Sequence, residues 1–347
     1  MRVQPSRLKE TAIHILRGLN ATEEEAALAA DSLVRAEMRG TDTHGVTLLR
    51  LLADRVNVQM VHLPTRLKVL REDVATGLID GGNGLGQVAA HRAMMMSIEK
   101  AERCGVGCCL VRNTNNIGFL AFYSLMAAEK GMAGIIMTNA APSMSPWGGA
   151  EAFLGTNPLS IAVPGGPAET PVVLDMSSSL VARGKVRRAQ RMKESIPLGW
   201  AFDETGSPTT DPVAALEGTL VPLGGPKGYS LAVMVDILAG MLSGSKYGPE
   251  VKTFHKPEGP TGVGVCCMAV DVERFMPLQD FKRLLRSYIE SVRGSRKAKG
   301  VSRIYLPGEI ESEREKASVK EGIELNPGTV KDLNQLLEKM GSPLRLV

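Results

Sequence analysis

From residue 77 onward, short apolar runs bounded by glycine or proline alternate with longer stretches whose apolar residues recur at helical spacing. That exchange of periods is the strongest constraint in the chain, because repeated strand and helix patterns must stack as α/β layers to bury their apolar sides. "TGLIDGGNGLGQVAAHRAMMMSIEKAERCGVGCCLV" predicts a strand, a glycine turn, a helix and a second strand at 106–111. "FLAFYSLMAAEKG" reads as a helix, and "MAGIIMTNA", "NPLSIAVPGG" and "PVVLDMS" read as strands. "KGYSLAVMVDILAGMLSG" is a long helix with a glycine-rich entry; the strand "GVGVCCMAVDV" and the helix "LQDFKRLLRSYIESVRG" follow.

The first seventy or so residues and the tail are helical in pattern instead. "SRLKETAIHILRGLN" places Leu8, Ile13, Leu16 and Leu19 on one face, and the next helix opens with a capping box, Thr22 and Glu25. "GVTLLRLLADRV" resumes the pattern through Leu48, Leu49, Leu52 and Val56. In the tail, "GEIESEREKASVKEG" looks solvent-facing, and "GTVKDLNQLLEKMG" gathers Val330, Leu333, Leu336 and Leu337 on one side. The proline and glycine cluster at 164–171 and that at 257–264 suit loops within a domain.

Composition narrows the classes. Across 347 residues, 37 glycines and 4% aromatics predict tight turns and small-side-chain packing. A net charge of +4 from 41 basic and 37 acidic residues is too balanced to argue for nucleic acid. The basic run at 182–193 reads as a solvated helix face or a phosphate contact. No stretch approaches the roughly 18 apolar residues of a membrane span, and the start lacks a signal peptide's apolar core, so the cytoplasm is the expected compartment. The five cysteines lack metal-site or disulfide spacing and read as reduced core residues.

Five places could carry chemistry. In "RGTDTHGV", residues 39–46, a turn requires only Gly40 and one capping residue, so Asp42, Thr43 and His44 exceed what geometry demands and make a plausible acid and base unit. The other histidines, His14, His62, His91 and His255, read as structural. "GGNGLG", residues 81–86, is either a plain turn or a pyrophosphate loop; Arg112 stands where a doubly wound dinucleotide fold wants an acid. Thr156 and Asn157 offer a hydroxyl and an amide before a strand, or an Asx turn. Asp175 and the hydroxyls Ser177, Ser178 and Ser179 end a buried-looking strand, where α/β proteins place ligand contacts. Gly224, Gly225 and Lys227 open the longest helix, where backbone amides and an ammonium favour an anion such as a phosphate.

Taken together, "RGTDTHGV", "DGGNGLGQ", "VRNTNN", "MTNAAPSMSPWGG", "GTNPLSIAVP", "LDMSSSLVARGK", "GWAFDETGSPTTDP", "PLGGPKGYSLAVMVDILAGMLSG" and "RIYLPGE" resemble, in order and across nearly the whole length, the type 2 malate/L-lactate dehydrogenase family. The resemblance implies a central mixed-sheet cofactor domain, residues 73–311, unlike the usual dinucleotide fold. It also implies that the N-terminal helical segment, 1–72, packs with the C-terminal helices, 312–347, in a homodimer. By similarity NAD or NADP would touch Asp175, Met176, Ser177, Pro226, Lys227, Pro307, Gly308 and Glu309, with Thr156 and Asn157 at the substrate. The implied reaction passes a hydride between a nicotinamide cofactor and a small 2-oxo or 2-hydroxy acid. His44 would move the proton, Thr43 would polarise it, and Asn116 would stand beside them.

Two positions depart from the family pattern. Asn116 replaces a histidine, and an amide cannot titrate; Leu48 replaces an arginine that clamps the substrate carboxylate. Arg50 lies about 200° further around the helix and does not substitute for it. These departures keep three alternatives in view: a cyclic imine reductase, a paralogue that binds ligand without reducing it, and nonredox chemistry. Arg183, Lys185 and Arg187 would meet a 2′-phosphate, or simply face solvent, which leaves NAD and NADP both open.

Overall fold

The computed structural model describes residues 2–165 and 170–346. Of the proline and glycine cluster at 164–171, residues 166–169 therefore lie outside the described residues. The centre is a seven-stranded sheet. Its strands are β2 (Lys68–Glu72), β3 (Thr76–Asp80), β4 (Val106–Thr114), β5 (Met132–Thr138), β6 (Leu159–Val163), β7 (Val172–Met176) and β11 (Val263–Asp271). Their spatial order is β2-β3-β4-β11-β5-β6-β7. Among these neighbours only β3 and β4 run parallel; every other pair is antiparallel.

The helices α4 (Gly86–Cys104) and α5 (Ala121–Glu129) cover one face. Glycine permits that approach. A Cβ on Gly107 of β4 would sit 1.9 Å from the Ser97 carbonyl oxygen of α4, and one on Gly134 of β5 would sit 2.4 Å from the Ser124 oxygen of α5. Small residues on the helices, Ala89, Ala90, Ala93 and Ala101, complete the contact, which explains how the chain packs so few aromatics. The opposite face carries α8 (Pro226–Val235), prolonged by a π-helical turn at Asp236–Met241 that packs Val235 and Ala239 on Met137 and Cys266.

The termini build a second core. The helices α1 (Pro5–Gly18), α2 (Glu23–Met38) and α3 (Leu48–Asn57) from the start pack with α10 (Glu309–Glu321) and α11 (Pro327–Lys339) from the end. Leu8, Leu16, Leu33, Leu49, Leu333 and Leu337 are among its buried side chains, each contributing about 2 kcal/mol by leaving water. The capping box forms as expected, with Thr22 Oγ1 accepting from Glu25 N and Glu25 Oε2 accepting from Thr22 N. A two-residue strand β1 (Arg2–Val3) pairs with β12 (Ile323–Glu324), tying the ends together.

Two expectations need correction. The N-terminal region is not helical throughout, because Lys68–Glu72 pairs with β3; its five residues "KVLRE" lie at a sheet edge and lack an apolar alternation strong enough to announce a strand. The cysteines are not uniformly core: Cys109, Cys266 and Cys267 are buried, whereas Cys104 is exposed at the end of α4 and Cys108 is half-buried. The stretch "GWAFDETGSPTTDP" forms β8 (Ala201–Phe202) and β9 (Pro208–Thr209), which with β10 (Thr219–Leu220) make a small second sheet. That sheet shares a core with α6 (Arg183–Met192) and α7 (Pro212–Glu217).

Candidate active site

The turn that carries the surplus of polar groups is a single 3-10 turn, Asp42–His44, between α2 and α3. It is held from beneath by Glu37. The Glu37 Oε1 accepts from Val46 N at 2.9 Å, and Gly45 lies so close that a Cβ would come 2.1 Å from that oxygen. Burial pushes the Glu37 carboxyl up to about 8, against the Val46 N–H, which lowers it. His44 is half-buried, and its Nδ1 lies 3.1 Å from Thr43 Oγ1. With Nδ1–H donating to the Thr43 hydroxyl oxygen, Nε2 is left unprotonated, as the acceptor nitrogen of the neutral ring. Desolvation holds the imidazole below its usual value, and the Asp42 carboxylate pulls the other way.

Two further segments reach this turn. Gly118 faces it, since a Cβ there would lie 3.9 Å from the His44 carbonyl oxygen, and Asn116 Oδ1 accepts from Gly118 N at 2.8 Å. Asn116 is thereby linked, through Gly118, to the His44 turn. Asn116 also lines a crevice with Leu33, Leu48, Leu52, Leu85 and Phe254, so the leucine at position 48 presents an apolar wall. Arg50 pairs with Asp54 at 3.1 Å along α3, away from that wall. The third neighbour is α6: Gly184 packs so tightly on Thr43 that a Cβ would meet its Cγ2 at 2.5 Å.

The chain enters α6 directly from the serine-rich tip of β7. Ser177 Oγ lies 3.0 Å from Ser179 Oγ, and the Ser178 carbonyl accepts from Leu223 N at 2.9 Å. That bond seats the tip on the entrance of α8, where Gly228 approaches Ser178 so closely that a Cβ would be 2.5 Å from its oxygen. Pro226 and Lys227 are exposed at that entrance, and Lys227 has no acidic partner among the described residues. Gly224, with φ +59°, has nothing within 4 Å of where a Cβ would stand. An open, glycine-lined helix start with a free ammonium has the donors and the space a phosphate requires.

The remaining residues named from the sequence fall into supporting positions. Asp175 accepts from Ala121 N at 2.9 Å at the start of α5, and desolvation raises its carboxyl to about 6; Met176 follows it, half-buried. Asn157 is fully buried, its amide taken by Ala140 N and the Ala232 carbonyl, while the Thr156 carbonyl receives both Ser178 N and Ser178 Oγ. The corner therefore braces the serine tip. The Pro307 carbonyl accepts from Val173 N, and Gly308 packs on Val173, placing that corner along the β7 edge. Glu309 is occupied by Arg293, Arg303 and Leu306 N.

The glycines at 81–86 are filled by protein. A Cβ on Gly82 would lie 2.4 Å from the Arg66 carbonyl oxygen, and one on Gly86 would lie 2.3 Å from that of Asn116. Asn115 Nδ2 closes the turn onto Asn83 and Gly84, and Arg112 pairs with Asp80. This is the plain turn.

Sequence reasoning, which read Arg187 as a phosphate contact or a solvated face and His255 as structural, missed their contact with each other. The Arg187 guanidinium lies 2.5 Å from His255 Nε2, and burial, Arg187, Arg183 and His44 hold His255 down to about 4. A loop histidine 68 residues away along the chain gives no local signal of that partnership.

The profile of the malate/L-lactate dehydrogenase family matches residues 3–334. The chain belongs to that family. It is 38% identical over 351 residues to malate dehydrogenase of Pyrococcus horikoshii, covering 98% of this chain and 96% of that protein. Its fold superposes on sulfolactate dehydrogenase of Methanocaldococcus jannaschii with a TM-score of 0.92 at 36% identity, covering 100% of this chain and 98% of the other. Two family relatives carry their cofactor in their names. One is the Escherichia coli ureidoglycolate dehydrogenase (NAD(+)), 31% identical over 90% of this chain and 88% of its own length. The other is the Chromohalobacter salexigens (2R)-3-sulfolactate dehydrogenase (NADP(+)), 34% identical over 80% and 84%.

Proposed function

We propose that the protein is an oxidoreductase that interconverts a small 2-hydroxy acid and its 2-oxo acid with NAD or NADP, and that His44 moves the proton. The observation that carries this reading is the contact of Gly184 on Thr43, which sets the Thr43–His44 pair against the helix leaving the serine tip. The family relatives named as malate, sulfolactate and ureidoglycolate dehydrogenases support the reaction class, and those named for NAD(+) and NADP(+) support the cofactor.

The residues present fit such a cofactor. Lys227 and the entrance open at Gly224 suit its phosphates, while Ser177, Met176 and Asp175 at the adjoining tip and Pro226 suit its nearer groups. Pro307, Gly308 and Glu309 lie along the same strand's edge, with Glu309 acting through its fixed backbone rather than its engaged carboxylate. When bound, the nicotinamide supplies the hydride acceptor for the alcohol, or the donor for the oxo acid. The antiparallel pairing around β11 supports a cofactor domain at 73–311 distinct from the doubly wound parallel fold. The shared core of the terminal helices supports their grouping as a second unit. The family also favours a homodimer.

In the oxidising direction, neutral His44 takes the hydroxyl proton as the C2 hydride departs; in the reducing direction, the imidazolium returns a proton to the forming alkoxide. Thr43 fixes the tautomer through Nδ1. Thr156, half-buried above the braced Asn157, is the substrate-facing member of its corner. Because His44 titrates below its usual 6.5, it stands neutral at neutral pH and is ready to accept. Oxo-acid reduction should therefore decline as pH rises through a midpoint below 6.5, while hydroxy-acid oxidation climbs over the same interval.

The test is a panel of malate, lactate, sulfolactate and cyclic imines with both cofactors, followed by the absorbance of the reduced nicotinamide, alongside calorimetric titration with NADH and NADPH. Turnover of a 2-hydroxy acid is expected. Failure to bind either cofactor at millimolar concentration defeats the reading. Leu48 and Asn116 favour a second reading, a cyclic imine substrate, which turnover of imines but not of acids would establish.

A further inference from the structure

Two features border the segment that carries His44. Leu48, at the start of α3, lines a crevice with Leu52 and Phe254 that has room for about one water-sized group. Arg187 lies on α6. Gly184, which touches Thr43, and Arg187 are three residues apart on α6 and so share a helix face. Arg187 is half-buried and has no acidic partner among the described residues; its contact is the neutral His255. Arg183, by contrast, is spent on the Leu216 and Pro142 carbonyls.

Neighbouring residues of one loop serve both features, Phe254 in the crevice and His255 on Arg187. That loop is fastened to α3 by Arg55, whose guanidinium donates to the Lys256 carbonyl at 3.0 Å and to the Gly259 carbonyl at 2.6 Å and lies 5.0 Å from the Phe254 ring centroid. A half-buried cation with a fixed neutral neighbour and no carboxylate is under-satisfied, and an incoming carboxylate would complete it with charge-assisted bonds.

We propose that Arg187, steadied by His255, receives the carboxylate of the acid substrate beside His44, and that the Leu48 crevice takes a small uncharged side chain. The substrate class is then a short 2-hydroxy monocarboxylate. This rests on the dehydrogenase reading for its substrate, but binding can be measured without turnover.

Arg187→Gln, Arg187→Lys and His255→Gln are compared with the wild type by calorimetry with oxamate and with hydroxymalonate in the presence of NADH, and by lactate kinetics. Loss of a charge-assisted bond predicts an increase of about tenfold to a hundredfold in oxamate Kd and lactate KM for Arg187→Gln. kcat and NADH affinity should change far less, and Arg187→Lys should recover part of the loss. His255→Gln should give a smaller rise in KM, and it answers the question if Arg187→Gln fails to fold. Oxamate should bind the wild type more tightly than hydroxymalonate. Unchanged oxamate affinity in Arg187→Gln, tighter binding of hydroxymalonate, or no binding of either anion to the wild type overturns the proposal. Arg187-dependent oxamate binding without turnover of any acid keeps it and defeats the dehydrogenase reading alone.

Discussion

Two glycine-bearing loops open helices in this protein, and they are built to opposite ends. At 81–86 every approach is occupied: the Arg66 carbonyl faces Gly82, Thr65 faces Gly84 and the Asn115 and Asn116 carbonyls face Gly86. At 224–227 Gly224 faces open space and Lys227 is exposed. The closed loop props the Asn116 side of the His44 turn, whereas the open one leaves amides and an ammonium for an anion. Proton transfer needs atoms held within hydrogen-bond reach, and docking a phosphate needs vacant donors. The same residue type serves both, by letting protein backbone in at Gly86 and leaving space free at Gly224.

Substitutions can break that contrast. The largest effect should come at the closed end, where His44→Ala is expected to slow the chemical step by about two to four orders of magnitude while leaving NADH affinity nearly intact; single-turnover kinetics and calorimetry separate the two. Gly86→Ala comes next, because the added methyl meets backbone carbonyls at 2.3 and 2.5 Å that cannot rotate away. A loss of about 1–3 kcal/mol or more is expected in denaturant unfolding.

At the open end, Lys227→Ala should raise the KM for the cofactor about tenfold with kcat preserved, and weaken its dependence on salt. An unchanged KM would move the phosphates elsewhere. The smallest effect belongs to Gly224→Ala, which meets no atom and suffers only its φ of +59°, a cost of about 1 kcal/mol in thermal unfolding. If Gly224→Ala proved as damaging to stability as Gly86→Ala, the contrast between the loops would be lost.

Much of the scaffold was legible because its signals are local. The capping box of Thr22 and Glu25, the leucine faces of α1 and α11, and the apolar runs of β4, β5 and β11 each declare themselves within a few residues. The weak strand β2 did not, since five residues with one partly buried position carry no clear period. Of the site, the excess of polar groups at Asp42, Thr43 and His44 was visible, as was the helix entrance at Lys227. Asn157 read as a ligand contact or a turn, and its amide proved to be saturated by Ala140 and Ala232. Arg187 read as a phosphate contact or a solvated face and His255 as a structural loop residue, yet the two are in contact with each other.

By itself the sequence determined the layers, the terminal helical cores and the chemical character of each loop, because period, capping and side-chain type act over a turn or a strand. Tertiary structure alone decided which glycines are open, which amides are spent and which cations converge on His255. Those properties depend on what fills the neighbouring space, and the neighbours, Asn116 against Gly86 or His255 against Arg187, arrive from distant parts of the chain.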